Sequence, residues 1–151
     1  RYSMYKRYID NFGALEVKSV GIYEFPIISK EEHIVLLDAI PFNYCLTTKN
    51  YDCGVHFFID DYQFDRLWQN PNKYMNRLKR FQYVMTPDYS LYTNMPKAMQ
   101  IWNRYRSQWL GAYMQAHGIK VVPTVTWSDE ESFKWVFDGI EKMSVIAISH
   151  E

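Results

Sequence analysis

The chain has few of the residues that build covalent or backbone-based functional sites. It contains 2 cysteines and 6 glycines among 151 residues. Two cysteines are too few for a disulfide framework. The sequence also has no G-x-x-x-x-G-K-[ST] loop, no G-x-G-x-x-G turn and no G-x-S-x-G elbow. The common glycine-based modes of phosphate binding, and a serine nucleophile on such an elbow, are therefore excluded.

The chain also lacks net charge and long apolar runs. Its 17 basic and 17 acidic residues cancel, so no overall field attracts a polyanion. No apolar run approaches the roughly 18 residues of a membrane-spanning helix. The polar, aromatic start RYSMYKRYIDNFG has no signal-peptide stretch. These absences predict a cytoplasmic protein with no membrane partner.

Aromatic residues are plentiful, and charge is unevenly distributed. Aromatic residues make up 18% of the chain, a share that suits both cores and interfaces. Residues 66–106 contain eight basic side chains and one acidic one, whereas residues 128–151 contain six acidic and two basic ones. The basic stretch predicts either solvated helix faces or a surface for nucleic acid or an acidic protein.

A short apolar run, a polar turn and an amphipathic helix follow one another repeatedly. The units are GVHFFIDD (54–61) before helix 64–80, QYVMTPDYS (82–90) before helix 96–117, KVVPTVTWSDE (120–130) before helix 131–140, and the opening SVIAISHE (144–151). Strands that alternate with helices build parallel sheets. The sequence therefore predicts a single α/β domain over residues 1–151. Its successive strand–helix units would form a mainly parallel sheet, open or partial-barrel-like, flanked by helices.

Backbone signals interrupt or end two of the predicted helices. Asn70-Pro71 predicts a break within the helix over 64–80, because Pro suits the first position of a helix and Asn caps it. Gly118 predicts a left-handed stop after His117.

Two of the predicted helices carry expectations about their side chains. On the helix over 96–117 the apolar residues recur at steps of three and four, which predicts a core-facing stripe: Ala98, Ile101, Trp102, Tyr105, Trp109, Ala112 and Ala116. Ser128 and Glu131 match the S-x-x-E capping box, which predicts a helix start. In that next helix Phe133, Val136 and Phe137 would face inward.

Acidic side chains follow the predicted strands. Asp60 and Asp61 come after one strand, and Asp88 after the next. The carboxyl ends of parallel strands meet at one edge of a sheet, and carboxylates gathered there suit Mg²⁺ or Mn²⁺. Such a metal site could hydrolyse a phosphate ester or nucleic acid. The alternative is that these carboxylates cap the helices that follow them.

A second candidate metal site consists of two thiols and an imidazole. Cys45, Cys53 and His56 have the spacing C-x₇-C-x₂-H, and these side chains are zinc ligands. The gap between the cysteines is wider than in common zinc motifs. The alternative is a buried histidine and two structural thiols.

Candidate partner-binding residues combine positive charge with aromatic rings. Arg and aromatic side chains are the usual anchors of protein interfaces, and rings also stack on bases. The set comprises Arg77, Lys79, Arg80, Arg104, Arg106, Tyr89 and Tyr92. It predicts contact with a protein partner, or with nucleic acid through the basic helical flank.

Four stretches of the chain resemble a known family. They are VHFFIDDYQFDRLW (55–68), TPDYSLYTNMPKAMQIWNRYRSQWLGAYMQ (86–115), IKVVPTVTWSDEESFKWVFDGI (119–140) and SVIAIS (144–149). They are similar to domain-of-unknown-function family 4417, which occurs in bacteria, phages and mobile elements. The resemblance implies the strand–helix layout but assigns no activity to any residue. It also implies that members continue past the last strand, so that this chain is truncated relative to the family.

The resemblance favours a binding function over an enzymatic one. Phages and mobile elements carry small accessory proteins that disable host defences, CRISPR nucleases included. A neutral, aromatic-rich domain with a basic flank fits that class. The prediction is an anti-CRISPR-like inhibitor that binds a host defence protein or protein–nucleic-acid complex, in the host cytoplasm if the chain is phage-encoded. The alternative is the metal-dependent hydrolase with Asp60, Asp61 and Asp88.

Overall fold

The computed structural model describes residues 17–91, 93–142 and 144–150. Its first elements are two short antiparallel strands, β1 (Ser19–Val20) and β2 (Phe25–Pro26). The turn between them contains Gly21 at a φ of +84° and Glu24 at +55°. Pro26 has no N–H to donate, which suits it to the end of a strand.

Four further strands form the central parallel sheet. β3 (Ala39–Pro41), β4 (Gly54–His56), β5 (Tyr83–Met85) and β6 (Val121–Val122) lie side by side in this order. Every neighbouring pair is parallel. The predicted α/β class, with a mainly parallel sheet and helices packed against it, is confirmed.

One predicted strand is divided between two sheets. Pro123 follows β6 and has no N–H, so the ladder of the central sheet cannot continue through it. The chain resumes as β7 (Thr124–Trp127), which pairs in parallel with β8 (Ala147–His150). The Pro123 carbonyl accepts a hydrogen bond from the Ala147 N–H at 2.8 Å, which joins the divided segment to the start of β8.

The helices differ greatly in length. α1 (Phe42–Cys45), α2 (Asp65–Gln69) and α3 (Met75–Leu78) are short, and α4 (Lys97–Ala116) has 20 residues. The predicted break at Asn70-Pro71 is confirmed, since a 3-10 turn (Pro71–Tyr74) separates α2 from α3. The predicted stop at Gly118 is also confirmed, with a left-handed φ of +81°.

The predicted helix over 131–140 is wrong. Only the 3-10 turn Ser132–Lys134 forms there. The backbone N–H groups of Ser128 and Asp129 donate to the Ser132 hydroxyl, and the Ser132 N–H donates to the Asp129 carboxylate. Glu131 binds Lys97 rather than closing a capping box. Local side-chain bonds of this kind compete with helix formation.

The side chains of this segment also depart from the prediction. Val136 is buried as expected, but Phe133 and Phe137 are 46% and 41% exposed. Trp135 is buried instead. It packs with Phe25 and Val125 in a small second core.

The predicted apolar stripe on α4 is only partly correct. Trp109 is buried, but Ala98, Trp102 and Ala116 are exposed. The buried face instead carries many polar or small residues: Gln100, Asn103, Arg104, Ser107, Gln108 and Gly111. Tyr105 packs against both hydrophobic cores, so α4 lies between them.

No helix in the described ranges is long and apolar enough to cross a membrane.

Candidate functional site

The carboxyl ends of β4 and β5 are joined by a carboxylate. Asp61 accepts hydrogen bonds from the Ser90 N–H at 3.2 Å and the Ser90 hydroxyl at 3.3 Å. Asp60 precedes the 3-10 turn Asp61–Gln63 and is exposed. The segments that follow these two strands therefore lie close together, as predicted, and the Asp61 carboxylate connects them.

Two of the three predicted carboxylates have different partners. Asp88 accepts a hydrogen bond from the Thr126 hydroxyl on β7, whereas Asp61 binds Ser90. Across the described residues, no group of three or more His, Cys, Asp and Glu side chains is placed to hold a metal ion. The Mg²⁺ or Mn²⁺ site of Asp60, Asp61 and Asp88 stays a prediction of the sequence.

Burial shifts the pKa of each predicted zinc ligand toward its uncharged form. Burial raises the pKa of Cys45 to about 12, against the opposing effect of Arg77 and Arg66. Cys53 is also buried and donates to the Asn50 carbonyl at 3.5 Å. His56 accepts from the Phe58 N–H at 3.2 Å, and burial lowers its pKa. These two thiols are therefore held protonated and the imidazole neutral; zinc binding by the three stays a prediction.

Arg106 is held in a rim pocket of mixed charge. The pocket, of about 280 Å³, is lined by Asp61, Tyr62, Asp65, Tyr89 and Arg106. The Arg106 guanidinium carbon lies 3.9 Å from the centre of the Tyr89 ring. One of its nitrogens donates to Asn103 at 2.6 Å, and another lies 3.8 Å from Asp65. Burial raises the pKa of Tyr89, so its hydroxyl stays neutral.

Arg104 lies deeper, in what we call the polar cleft. The cleft opens between the β5 carboxyl end, α4 and β7, and its polar lining comprises Asp88, Tyr89, Asn103, Arg104, Ser107, Thr124 and Thr126. Arg104 is only 3% exposed, and its Nη1 donates to the Thr124 carbonyl at 3.0 Å. Burial lowers its pKa to about 10, against the opposing effect of Asp138 and Asp88.

Two residues of the predicted contact set do not lie on the open surface. Arg104 and Tyr89 are both 3% exposed, so a partner would reach them only through the polar cleft or the rim pocket, and their contact with a partner stays a prediction. Arg104 is enclosed because α4 turns its polar face inward. Tyr92 lies outside the described residues.

The remaining predicted basic residues lie on the outside of α3 and the loop around Tyr51. Arg77 donates through Nε to the Cys45 carbonyl at 2.9 Å and through Nη2 to the Thr48 carbonyl at 2.6 Å. The Arg77 and Arg80 guanidinium groups both lie over the Tyr51 ring. Lys79 and Arg80 are exposed.

Exposed Arg66 joins this group, because its guanidinium lies over Phe42 at 5.6 Å from the ring centre. Exposed Tyr44 lies on the same short helix α1 as Phe42. We call this set the basic surface: Arg66, Arg77, Lys79 and Arg80 with Tyr44 and Tyr51.

Comparison with known proteins identifies the family. The family described as "Domain of unknown function (DUF4417)" matches residues 17–151. The chain belongs to the DUF4417 family. The strand–helix layout, the rim pocket and the polar cleft all lie within the matched range of this DUF4417 chain.

Two curated relatives of the DUF4417 chain are phage proteins. It is 50% identical over 96 residues to the "Gene 1 protein" of Mycobacterium phage L5, a match that covers 64% of this chain and 42% of the relative. It is 44% identical over 96 residues to the "Gene 1 protein" of Mycobacterium phage D29, covering 64% of this chain and 36% of the relative. The chain is thus phage-related and matches well under half the length of either relative. No solved structure matches it.

Sequence reasoning missed most of the polar cleft. Thr124 and Thr126 alternate along β7, and Asn103 and Ser107 recur four residues apart on α4. Each pattern places two polar side chains on one face of its element. A search for polar rather than apolar periodicity in this DUF4417 chain would have found them.

Proposed function

We propose that the chain is a phage-related accessory protein that works by binding, and that it inhibits a host defence protein or protein–nucleic-acid complex in the host cytoplasm. The observation that carries this proposal is the basic surface. Its arginines gather around Tyr51 and Phe42. Arginine and tyrosine are the residue types enriched at binding hot spots.

The geometry of the basic surface favours an anionic partner. Arg77 is anchored by two backbone carbonyls, so its position is fixed before binding. Arg66, Lys79 and Arg80 are exposed around it. An arginine that is already held in place loses little side-chain entropy on binding. The basic surface fits an acidic protein surface or the phosphates of a protein–nucleic-acid complex.

The test is protection of an infecting phage. Bacteria that carry a defence nuclease are infected with and without the chain, and the efficiency of plating is measured. We expect the wild-type chain to raise plating. The variant Arg66→Glu/Arg80→Glu should lose this effect, because reversed charge repels an anionic partner. Lys142→Glu, an exposed change on the acidic half of the chain, is the matched control and should protect like wild type.

Folding is checked for each variant by circular dichroism and thermal melting. Full protection by a folded Arg66→Glu/Arg80→Glu variant would contradict the role of the basic surface. Absence of protection by the wild-type chain against every defence nuclease tried would contradict inhibition itself.

The hydrolase alternative has its own measurement. Elemental analysis by mass spectrometry, with melting before and after chelation, tests both metal predictions, since a bound ion stabilises the folded state. Stoichiometric Mn²⁺ or Mg²⁺ lost in Asp61→Asn would favour the rim carboxylates. Stoichiometric zinc lost in Cys53→Ser would favour Cys45, Cys53 and His56.

A further inference from the structure

Several buried donors in the polar cleft have no hydrogen-bond partner among the described residues. They are Arg104 Nε and Nη2 and the hydroxyls of Tyr89, Ser107 and Thr124, all on residues that line the cleft. Each of these residues is at most 4% exposed. Buried polar groups in folded proteins nearly always have a partner, so this concentration indicates that a ligand supplies the acceptors.

The guanidinium group of Arg104 has two N–H groups on one edge that can bind a pair of oxygens. Its Nη1 is used by the Thr124 carbonyl, which leaves Nε and Nη2 side by side. This edge matches the two oxygens of a carboxylate or phosphate. Arg77 shows the same edge in use, with both nitrogens bound to backbone carbonyls.

Charge and space limit which oxyanion fits. In this conformation the cleft leaves about 10 Å³ for the centre of a water-sized atom, on the order of one water position, so a carboxylate must widen the cleft to enter it. A flat group with two oxygens requires less widening than a tetrahedral one. Asp88 also lines the cleft, so a dianion would be repelled more strongly than a singly charged group.

We infer that the polar cleft binds a carboxylate group, held in a bidentate manner by Nε–H and Nη2–H of Arg104 and assisted by the hydroxyls of Ser107 and Thr124. The carboxylate belongs either to a small acid or to the end of a peptide chain. This site is separate from the basic surface. A test of the carboxylate site therefore does not depend on whether the proposed function is correct.

The experiment titrates the wild-type chain with acetate at constant ionic strength. The ¹H–¹⁵N signal of the Arg104 Nε–H is followed by nuclear magnetic resonance, and the melting temperature is measured in parallel. Acetate should shift the Arg104 signal in a saturable way and raise the melting temperature. The neutral isostere acetamide should do neither. The Arg77 Nε–H signal is an internal control, because its partners are already in place.

Two variants test the assignment. Arg104→Lys keeps the charge but loses the paired N–H groups, and should weaken acetate binding about tenfold or more. Ser107→Ala removes one small donor and should weaken it several-fold; it keeps the test decisive if Arg104→Lys fails to fold. Arg77→Lys is the matched control and should leave acetate binding unchanged.

Further ligands show whether the carboxylate belongs to a small acid or to a chain end. They also define the results that would overturn the inference. Stronger binding of N-acetylglycine than of acetate would identify a chain end, and the reverse a small acid. Failure of acetate to shift the Arg104 signal at millimolar levels would overturn the inference. So would equal responses to acetate and acetamide, unchanged binding in Ser107→Ala, or tighter binding of phosphate than of acetate.

Discussion

At the scale of single residues, the contact between Gly54 and Tyr83 fixes the middle of the central sheet. The two are register partners in β4 and β5. The Tyr83 ring covers Gly54 so closely that a Cβ at Gly54 would lie 2.1 Å from its Cζ. The Tyr83 hydroxyl donates to the Leu37 carbonyl at 2.5 Å, which holds the ring in place. A large aromatic ring thus protects a strand glycine.

We expect Gly54→Ala to destabilise the protein by about 1–3 kcal/mol, the usual cost of overpacking a core. The added methyl group must displace a ring that is anchored at its hydroxyl. The measurement is urea unfolding followed by circular dichroism. In the double variant Gly54→Ala/Tyr83→Ala the ring is gone. Its loss of stability should therefore be smaller than the sum of the losses in the two single variants. Strict additivity would contradict the predicted clash.

Three arginines show where residue-scale prediction from sequence ends. Arg77, Arg104 and Arg106 were all predicted to lie on one binding surface. In the structure, Arg77 binds backbone carbonyls, Arg106 stacks on Tyr89 and Arg104 is buried. Partners far away in the chain decide these differences, such as the Thr124 carbonyl for Arg104. A local pattern does not contain that information.

At the scale of elements, α4 packs closely through a glycine. A Cβ at Gly111 would lie 2.4 Å from Ile28 Cδ1 and 2.7 Å from Thr86 Cγ2. Both neighbours are buried, with at most 1% exposure. The absence of a side chain at Gly111 therefore sets how closely α4 approaches the segment after β2 and the end of β5.

Gly111→Ala tests two opposing effects on α4. Helix propensity alone favours alanine by about 1 kcal/mol. The buried clash costs about 1–3 kcal/mol, so we expect net destabilisation in a urea titration. Ala98→Lys, on the exposed side of the same helix, should change stability by at most about 0.5 kcal/mol. A stabilised Gly111→Ala variant, or a strongly destabilised Ala98→Lys variant, would argue against the observed orientation of α4.

The boundaries of helices were predictable where the backbone conformation of a single residue determines them. Pro71 and Gly118 marked the helix boundaries correctly, since each acts through its own backbone conformation. The helix over 131–140 failed because Ser132 supplies its own local hydrogen bonds. The stripe on α4 failed because a helix between two cores has no single apolar face, and its polar side faces the cleft.

At the scale of the whole molecule, buried acids of high pKa should make the fold sensitive to alkali. Burial raises the folded-state pKa of Cys45 from 9.0 to about 12, and it also raises the pKa of Cys53, Tyr83 and Tyr105. In the unfolded chain these groups lose their protons at lower pH than in the folded one. Their contribution is fully present below the unfolded-state pKa and is lost as pH rises toward the folded-state pKa.

We therefore expect the free energy of unfolding to fall steadily above pH 9. Between pH 9 and pH 10 the Cys45 thiol alone should contribute a slope approaching about 1.4 kcal/mol per pH unit. The measurement is urea unfolding at pH 8, 9 and 10. In Cys45→Ala this slope should be clearly shallower, whatever the variant's stability at pH 8. Parallel profiles for the two proteins would show that Cys45 does not retain its proton on folding.

The break between β6 and β7 at Pro123 determines how the two walls of the polar cleft are connected. Because β6 ends in one sheet and β7 begins another, the cleft walls on either side of Arg104 belong to two separately hydrogen-bonded units. The Thr124 N–H that follows the proline binds the Thr86 hydroxyl rather than a backbone carbonyl. A side chain can follow a small rotation that a strand ladder would resist. Side-chain bonds, such as those from Arg104 to the Thr124 carbonyl and from Thr126 to Asp88, therefore connect the two walls, and widening the cleft would strain these bonds before any strand ladder.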